Sequence, residues 1–428
     1  MSIVIDDKKI TNINISNKNV QKIVDILTNK IIFEKTSSNE YFYIENTYNG
    51  SNTISLVTTI GGTNITGSHA TQLQYSKDKK TWKTIALNGT NTILMLLGER
   101  VYFRNDSGSF NWYINSKDSF YTQINCSNNH KVGGNINSLL DYNNYNVAVT
   151  LYCFYRLFYN NKKLTDASEL IFSKTSLAPY CYSSMFNGCT SLTTAPTELP
   201  ATTLASGCYQ YMFQGCTTLT SAPKLPATTL KNYCYNSMFN GCTSLTSAPK
   251  LPATTLASGC YNSMFESCTS LTTAPKLPAT TLSIECYQYM FHDCTSLTAA
   301  PELPATTLAS QCYGYMFWGC SSLTTAPALP ATTLVEGCYR NMFWGCSSLT
   351  TAPALPATTL VQDCYCYMFY SCRKLNSITV YADDNSASDC TTDWLINVAS
   401  SGTFRNLGSA TYSRDASGIP TGWTQVKH

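Results

Sequence analysis

Apolar residues recur along this chain in a short, fixed figure. From Cys208 the text reads CYQYMFQGCTTLTSAPKLPATTLKNY, and it returns at residues 234, 260, 286, 312 and 338 with a period of 26. A copy at Cys181 has one extra residue beside Glu198, and the copy at Cys364 loses the pattern after Leu375. A degenerate first copy begins at Cys153, where Phe158 and Leu164 keep their columns and Asn161 stands in place of the second cysteine. Nine copies with atypical ends predict a solenoid whose terminal turns act as caps. Counting each copy from its first cysteine as offset 0, offsets 0, 1, 4, 5 and 8 are Cys, Tyr, Met, Phe and Cys in every full copy. Offsets 2, 3 and 6 vary. The invariant set lies on one helical face, which predicts a short helix with the variable positions outward. Leu at offset 11 (Leu219, Leu245, Leu271) opens a short strand, and the two prolines of A-P-x-L-P impose an extended return. Stacked about 4.8 Å apart, nine such turns make an arc roughly 40 Å long.

Before the repeats the pattern is different. Residues 1–38 alternate in short runs (Ile13 and Ile15, Val20 to Ile26, Ile31 to Phe33) separated by Asn-Lys turns, which predicts hairpins too small to hold a core alone. Residues 39–127 carry strand runs at Tyr41–Asn46, Thr53–Ile60, Gln72–Tyr75, Trp82–Leu87 and Val101–Arg104, the pattern of a small antiparallel, Ig-like β-sandwich. No proline precedes Pro179, and a Gly/Asn-rich joint and N-terminal cap at 128–152 leads into the solenoid at 153–380. Residues 381–428 read as a C-terminal cap, with a short helix at Asp393–Val398 around Trp394 and a turn at Gly418–Trp423 folded back over it. The expected fold class is therefore mixed and multidomain: an all-β anchor, a β-sandwich, an α/β solenoid of about nine repeats, and a cap.

The F-x-G-C-T-S-L-T-x-A-P segments resemble the F-x-x-C-x-x-L-x-x-I signature of treponemal-type (BspA-like) leucine-rich repeats. The wording with C-Y-x-x-M-F and L-P-A-T-T-L is similar to repeat proteins of gut Bacteroidetes and of their tailed, crAss-like bacteriophages. The likeness covers roughly residues 150–380. It implies the leucine-rich-repeat fold and a role as surface adhesin, host-interaction protein or phage virion component. Residues 1–38 resemble the attachment segments of phage fibre and head-decoration proteins, which implies other virion proteins as partners. Fibres of that kind are commonly trimers, so a homotrimer is an expectation of the resemblance.

Composition narrows the classes. Charged residues are only 12% of the 428, and net charge is +3, which excludes a charged disordered tail and a polybasic nucleic-acid binder. No apolar run reaches 18 residues, so no membrane insertion is expected. The start, Met1 to Lys9, turns polar after five residues and does not read as a secretory signal, so synthesis in a host cytoplasm and localisation in the virion are expected. The 20 cysteines fall mostly in two columns with C-x7-C spacing, too far apart within a copy for one metal or one disulfide. Neighbours within a column lie near enough for a disulfide, but packing as free buried thiols is the favoured reading. Cys126, Cys366 and Cys390 fall outside the columns and receive no role. Seven L-P-A-T-T copies lack the Gly and C-terminal position of a sortase signal. No catalytic pattern surrounds His69, His130, His292 or His428, and no cofactor, metal or enzymatic activity is expected.

One surface column carries a candidate site. Offset 6 runs Asn187, Gln214, Asn240, Glu266, His292, Trp318, Trp344, Tyr370, polar at first and then aromatic. Offset 3 adds Tyr289, Tyr315 and Tyr367, and Arg340 lies at offset 2. Large rings left on a surface usually have a partner, and flat rings with polar tips suit a sugar or a protein. The alternative is packing against the cap or a second subunit. A second column, Lys224, Lys250 and Lys276 between Glu198 and Glu302, reads as a solvated row. The expected function is a non-enzymatic virion protein that displays the solenoid to host-surface or mucus glycans or proteins. A bacterial surface adhesin is the alternative.

Overall fold

The computed structural model describes residues 22–25, 30–34, 40–60, 63–64, 73–85, 93–105, 113–114, 120–415 and 417–427. His69, His428 and the strand expected around Ile13 and Ile15 lie outside them. Strands β1 (Lys22–Asp25) and β2 (Lys30–Glu34) form an antiparallel hairpin. Then come β3 (Phe42–Asn46), β4 (Asn52–Ile60), β5 (Thr63–Asn64), β6 (Gln74–Ser76), β7 (Lys83–Thr84), β8 (Ile93–Met95), β9 (Arg100–Arg104), β10 (Tyr113–Ile114), β11 (Phe120–Cys126) and β12 (His130–Asn135). One sheet has the order β10-β11-β4-β5 with β8 also on β4. The other has the order β13-β12-β3-β9-β6-β7, where β13 (Leu164–Ile171) already belongs to the first solenoid turn. Within the stretch expected as a joint, β12 pairs antiparallel with β3 and parallel with β13. One apolar core runs from Phe42 through the repeats to Trp423.

The solenoid contains no α-helix among the described residues; the sole helical turn is a 3-10 turn at Ile136–Leu139, before the repeats. The helix expected in each copy is instead a ribbon of turns with a period of four, which corrects the α/β assignment. In the copy at Cys312, N–H groups at even offsets bond back three residues: Cys312 to Ala309, Gly314 to Gln311, Met316 to Tyr313 and Trp318 to Tyr315, at 3.1–3.2 Å. Those at odd offsets cross to the next turn: Gln311 to Glu336, Tyr313 to Cys338, Tyr315 to Arg340, Phe317 to Met342 and Gly319 to Trp344, at 2.8–3.2 Å. This alternation needs a left-handed residue every fourth position, at offsets −1, 3 and 7. Gln311, Tyr315 and Gly319 have φ of 52°, 60° and 73°, and the same three offsets are positive in every turn. A period of four sends offsets 0, 1, 4, 5 and 8 inward just as a period of 3.6 does over nine residues. An isolated nine-residue helix would be marginal, whereas here every backbone N–H in the ribbon has a partner.

The inward columns stack without a break. Rings of the Phe column, from Phe158 to Phe369, lie 5.2–5.7 Å apart, and the Cys, Tyr, Met and Phe columns are at most 2% exposed from Cys181 to Cys372. The strand expected after each Leu shrinks to isolated parallel bridges such as Ser247–Thr273, Thr273–Ala299 and Ala299–Thr325. Two prolines per copy remove donors from any longer ladder. Continuous strands appear only at the two ends, outside the A-P-x-L-P segments: β13 in the first turn, and after Pro356 the strands β14 (Ser377–Val380), β15 (Gly402–Asn406) and β16 (Trp423–Lys427), which form a parallel sheet.

The caps complete the ribbon's one-way bonding. At the first turn, the Leu157 carbonyl accepts from Ile124 N–H of β11 at 2.9 Å, and the Tyr159 carbonyl accepts from the Gln123 amide. At the other end, the helix expected at Asp393–Val398 is a tenth ribbon, with φ positive at Asp389, Asp393 and Asn397. Cys390 is therefore a member of the first cysteine column, not outside it, and Trp394 stands where earlier turns have Met. Trp394 is fully buried, stacks 5.9 Å from Tyr412, and donates from its ring N–H to the Gly418 carbonyl at 2.9 Å.

All twenty cysteines are thiols. From Cys189 to Cys372 each offset-8 Sγ–H donates to the offset-5 Phe carbonyl of the preceding turn, as Cys294 does to Phe265 at 3.1 Å. Burial pushes Cys260 and Cys312 up to about 12 and raises the other column thiols above their ordinary value.

Two predictions follow from this backbone and its thiols. Gly345→Ala meets only ordinary contacts but sits at φ 73°, so urea unfolding should show a loss of about 1 kcal/mol, whereas Gly345→Asp, a residue that Asp293 already places at this offset two turns earlier, should cost less. Above about pH 8.5 the unfolded chain ionises its thiols while the native chain keeps them protonated, so each column thiol withdraws about 1.4 kcal/mol per pH unit. Denaturant midpoints should be level near neutrality and fall steeply in alkali.

Candidate functional site

Offsets 2, 3, 6 and 7 face outward because the ribbon repeats every four residues, and this brings all eight sequence-predicted residues onto one face. In the amino-terminal half that face is a ladder of polar pairs: Asn187 to Gln214 at 2.7 Å, Gln210 to Asn236 at 3.1 Å and Asn240 to Glu266 at 2.8 Å. At offset 6 the ladder ends where His292 Nδ1 meets Glu266 Oε1 at 3.2 Å, while beside it amides run on from Asn262 to Gln288 at 3.0 Å and from Gln288 to Gln311 at 2.6 Å. Burial pulls the Glu266 carboxyl upward, but the bonds from His292, Ser263 and Asn240 outweigh it and hold the carboxyl below the usual range.

From His292 onward rings replace the amides. His292 lies 4.8 Å from Trp318, Trp318 stacks on Trp344 at 4.9 Å, and Trp344 meets Tyr370 at 4.5 Å. Beside them Tyr289 stacks on Tyr315 at 4.5 Å, and Tyr367 stacks on Trp344 at 5.6 Å. Burial, together with the neighbouring Tyr315, pushes Tyr289 up to about 12. Arg340 Nη1 pairs with Asp363 at 3.2 Å. All eight side chains are half-buried. Gly319 and Gly345, next to the two tryptophans, contribute no side chain that would crowd the rings.

Tyr289, Tyr315, Trp318, Arg340, Trp344, Tyr367 and Tyr370 line an open groove of about 600 Å³, joined by Asn341, Asp393 and Ile396. His292 adjoins it through Trp318. Sequence reading missed Asn341, which breaks the Tyr289–Tyr315–Tyr367 column and is 2% exposed. It also missed Asp393 and Ile396, the offset-3 and offset-6 residues of the unrecognised tenth ribbon. The signal for Asn341 was available: it is the single non-aromatic residue at offset 3 between residues 289 and 367. Stacking turns most ring faces toward one another along the solenoid, so a partner meets ring edges except where the column breaks. The cap adds two residues to the end of the groove, and the groove itself stays open. No group of three or more His, Cys, Asp or Glu that could hold a metal occurs among the described residues, nor is any helix long and apolar enough to cross a membrane.

A stack of lateral bonds, invariant inward columns and a variable outer face together define a repeat solenoid. The profile of the BspA type leucine rich repeat region matches residues 152–298 and 258–391, together more than half of the chain. The chain belongs to the BspA-type leucine-rich repeat family. No curated protein and no solved structure matches it.

The Trp318–Trp344 stack should give an exciton couplet in far-ultraviolet circular dichroism. Trp318→Ala and Trp344→Ala should each remove the couplet while Trp394, buried in the cap, keeps its own signal.

Proposed function

We propose that this chain is a non-enzymatic structural protein of a phage virion, a fibre or a head or tail decoration protein, whose solenoid binds host-surface or mucus glycans or proteins. Membership of a BspA-type repeat family supports a surface or binding role. The observation that carries the recognition part is the open groove lined by Trp318, Trp344, Tyr315, Tyr367 and Tyr370 on the solenoid's outer face. Stacked, half-exposed rings of this size usually have a partner. The virion part rests on the resemblance of the C-Y-x-x-M-F and L-P-A-T-T-L wording to repeats of Bacteroidetes phages. In this reading the N-terminal segment attaches to other virion proteins, and the particle carries the chain as a homotrimer. The proposal includes no enzymatic activity, no nucleic-acid partner and no membrane insertion.

The location is tested by immunogold electron microscopy of the native source with an antibody against the repeats. Gold on phage particles supports the virion role and distinguishes head from tail. Gold on intact cell envelopes with bare particles replaces it with the adhesin reading.

The recognition part has its own test. Trp318→Ala with Trp344→Ala should weaken attachment to host cells at least ~10-fold, the order expected for losing a hot-spot pair. The variant's melting temperature should remain within a few degrees of the parent's, because both rings are half-exposed. A large loss of stability would instead assign the rings to packing.

A further inference from the structure

At the break in the tyrosine column the groove holds two polar atoms with no partner. Asn341 Oδ1 and Arg340 Nε are both closed off from solvent, and neither makes a hydrogen bond within the protein. Other buried atoms without a partner, such as the Tyr182 and Tyr235 hydroxyls, lie in the core, whereas these two belong to consecutive residues that line the groove, and an acceptor and a donor there point to a ligand that brings both. One face of Tyr315 is covered by Tyr289 at 4.5 Å, and on the side of the next turn the column carries Asn341 rather than a ring, with the Arg340 guanidinium near the Tyr315 hydroxyl. Charge limits the choice further. Asp363 already pairs with Arg340, and Asp393 lies on the groove wall, so an anionic ligand meets net negative surroundings. A quaternary ammonium brings neither an N–H for Asn341 Oδ1 nor an acceptor for Arg340 Nε.

We propose that this groove binds a neutral N-acetylated sugar. The acetamido N–H donates to Asn341 Oδ1, the acetamido carbonyl accepts from the Arg340 guanidinium, and the methyl group lies on the Tyr315 ring. A flip of the Asn341 amide or a small rotation of Arg340 turns the bonding edge toward the ligand. A plain hydroxyl in the same position satisfies the polar atoms less completely and leaves the Tyr315 face bare. The assignment rests on the groove being the recognition surface proposed above.

Isothermal titration of the full chain with tri-N-acetylchitotriose and with cellotriose isolates the acetamido group, because the two differ only in acetamido against hydroxyl. The expected result is at least ~10-fold tighter binding of the acetylated trimer, since an unmatched buried pair is left when the amide is missing. Asn341→Tyr should abolish binding with an unchanged melting temperature, because Tyr289, Tyr315 and Tyr367 show that this offset accepts tyrosine at φ of 54–60°. Asn341→Ser, a residue also found at this offset in Ser237 and Ser263, should fold normally and lose the preference for the acetylated trimer. Equal binding of the two trimers, or binding unaffected by Asn341→Tyr, overturns the proposal. Binding of neither trimer by a chain that still attaches to host cells through Trp318 and Trp344 also overturns it and leaves the proposed function standing. Loss of both would count against the two together.

Discussion

Everything in the repeat region depends on one constraint: the backbone of each ribbon donates laterally in one direction only. Odd-offset N–H groups reach forward to even-offset carbonyls of the next turn, while even-offset N–H groups close turns within their own ribbon. Each lateral bond contributes only about 1 kcal/mol net, and a left-handed non-glycine residue costs a comparable amount. The ribbon therefore persists because bonds and ring stacks are made together in every turn, not because any one of them is strong. A single turn alone would fail this balance, which is why such repeats need neighbours. One-way bonding also makes the two ends chemically different. The first turn offers carbonyls, and β11 supplies N–H donors to them; the last turn offers donors, and the segment around Ser417 and Gly418 supplies acceptors.

With the backbone fixed, side chains divide by offset. Inward columns must be small or flat enough to stack at the turn spacing, and Cys, Tyr, Met and Phe meet that requirement in every copy. The offset-8 cysteines do more than fill space, because their thiols bond Phe carbonyls of the preceding turn. Outward offsets carry no such demand. They are free to be amides that pair side by side in one half and rings that stack in the other. The change from one to the other at Glu266 and His292 happens with no change in the fold beneath, so the outer face varies at positions separate from those that build the core.

The period, the inward columns, the proline-bound return and all eight outward residues were legible in the sequence, since each depends on comparing one copy with the next. The ribbon itself was not. Over nine residues, periods of 3.6 and four select the same inward set, and burial alone cannot separate them. The discriminating residues were Gly188, Gly215, Gly241, Gly319 and Gly345 at offset 7 and Gly207, Gly259 and Gly337 at offset −1, positions where a helix would not choose glycine. The tenth turn was hidden for a different reason. Its Trp394 and Leu395 keep the burial of Met and Phe but not their identity, and Val398, in place of the second Cys, is only half-buried. Asn341 was visible only against the tyrosines above and below it, and its unpaired amide required coordinates. Residues 1–21 carry the attachment reading by resemblance alone.

The sign of φ at offset 3 decides the account most directly. Nuclear magnetic resonance couplings on protein labelled at tyrosine would report it for Tyr289, Tyr315 and Tyr367 in three separate turns. The ribbon predicts positive φ, between 54° and 60°, at all three. Negative φ in the helical range at those residues would contradict the ribbon, the lateral bonding and the outer face built on it.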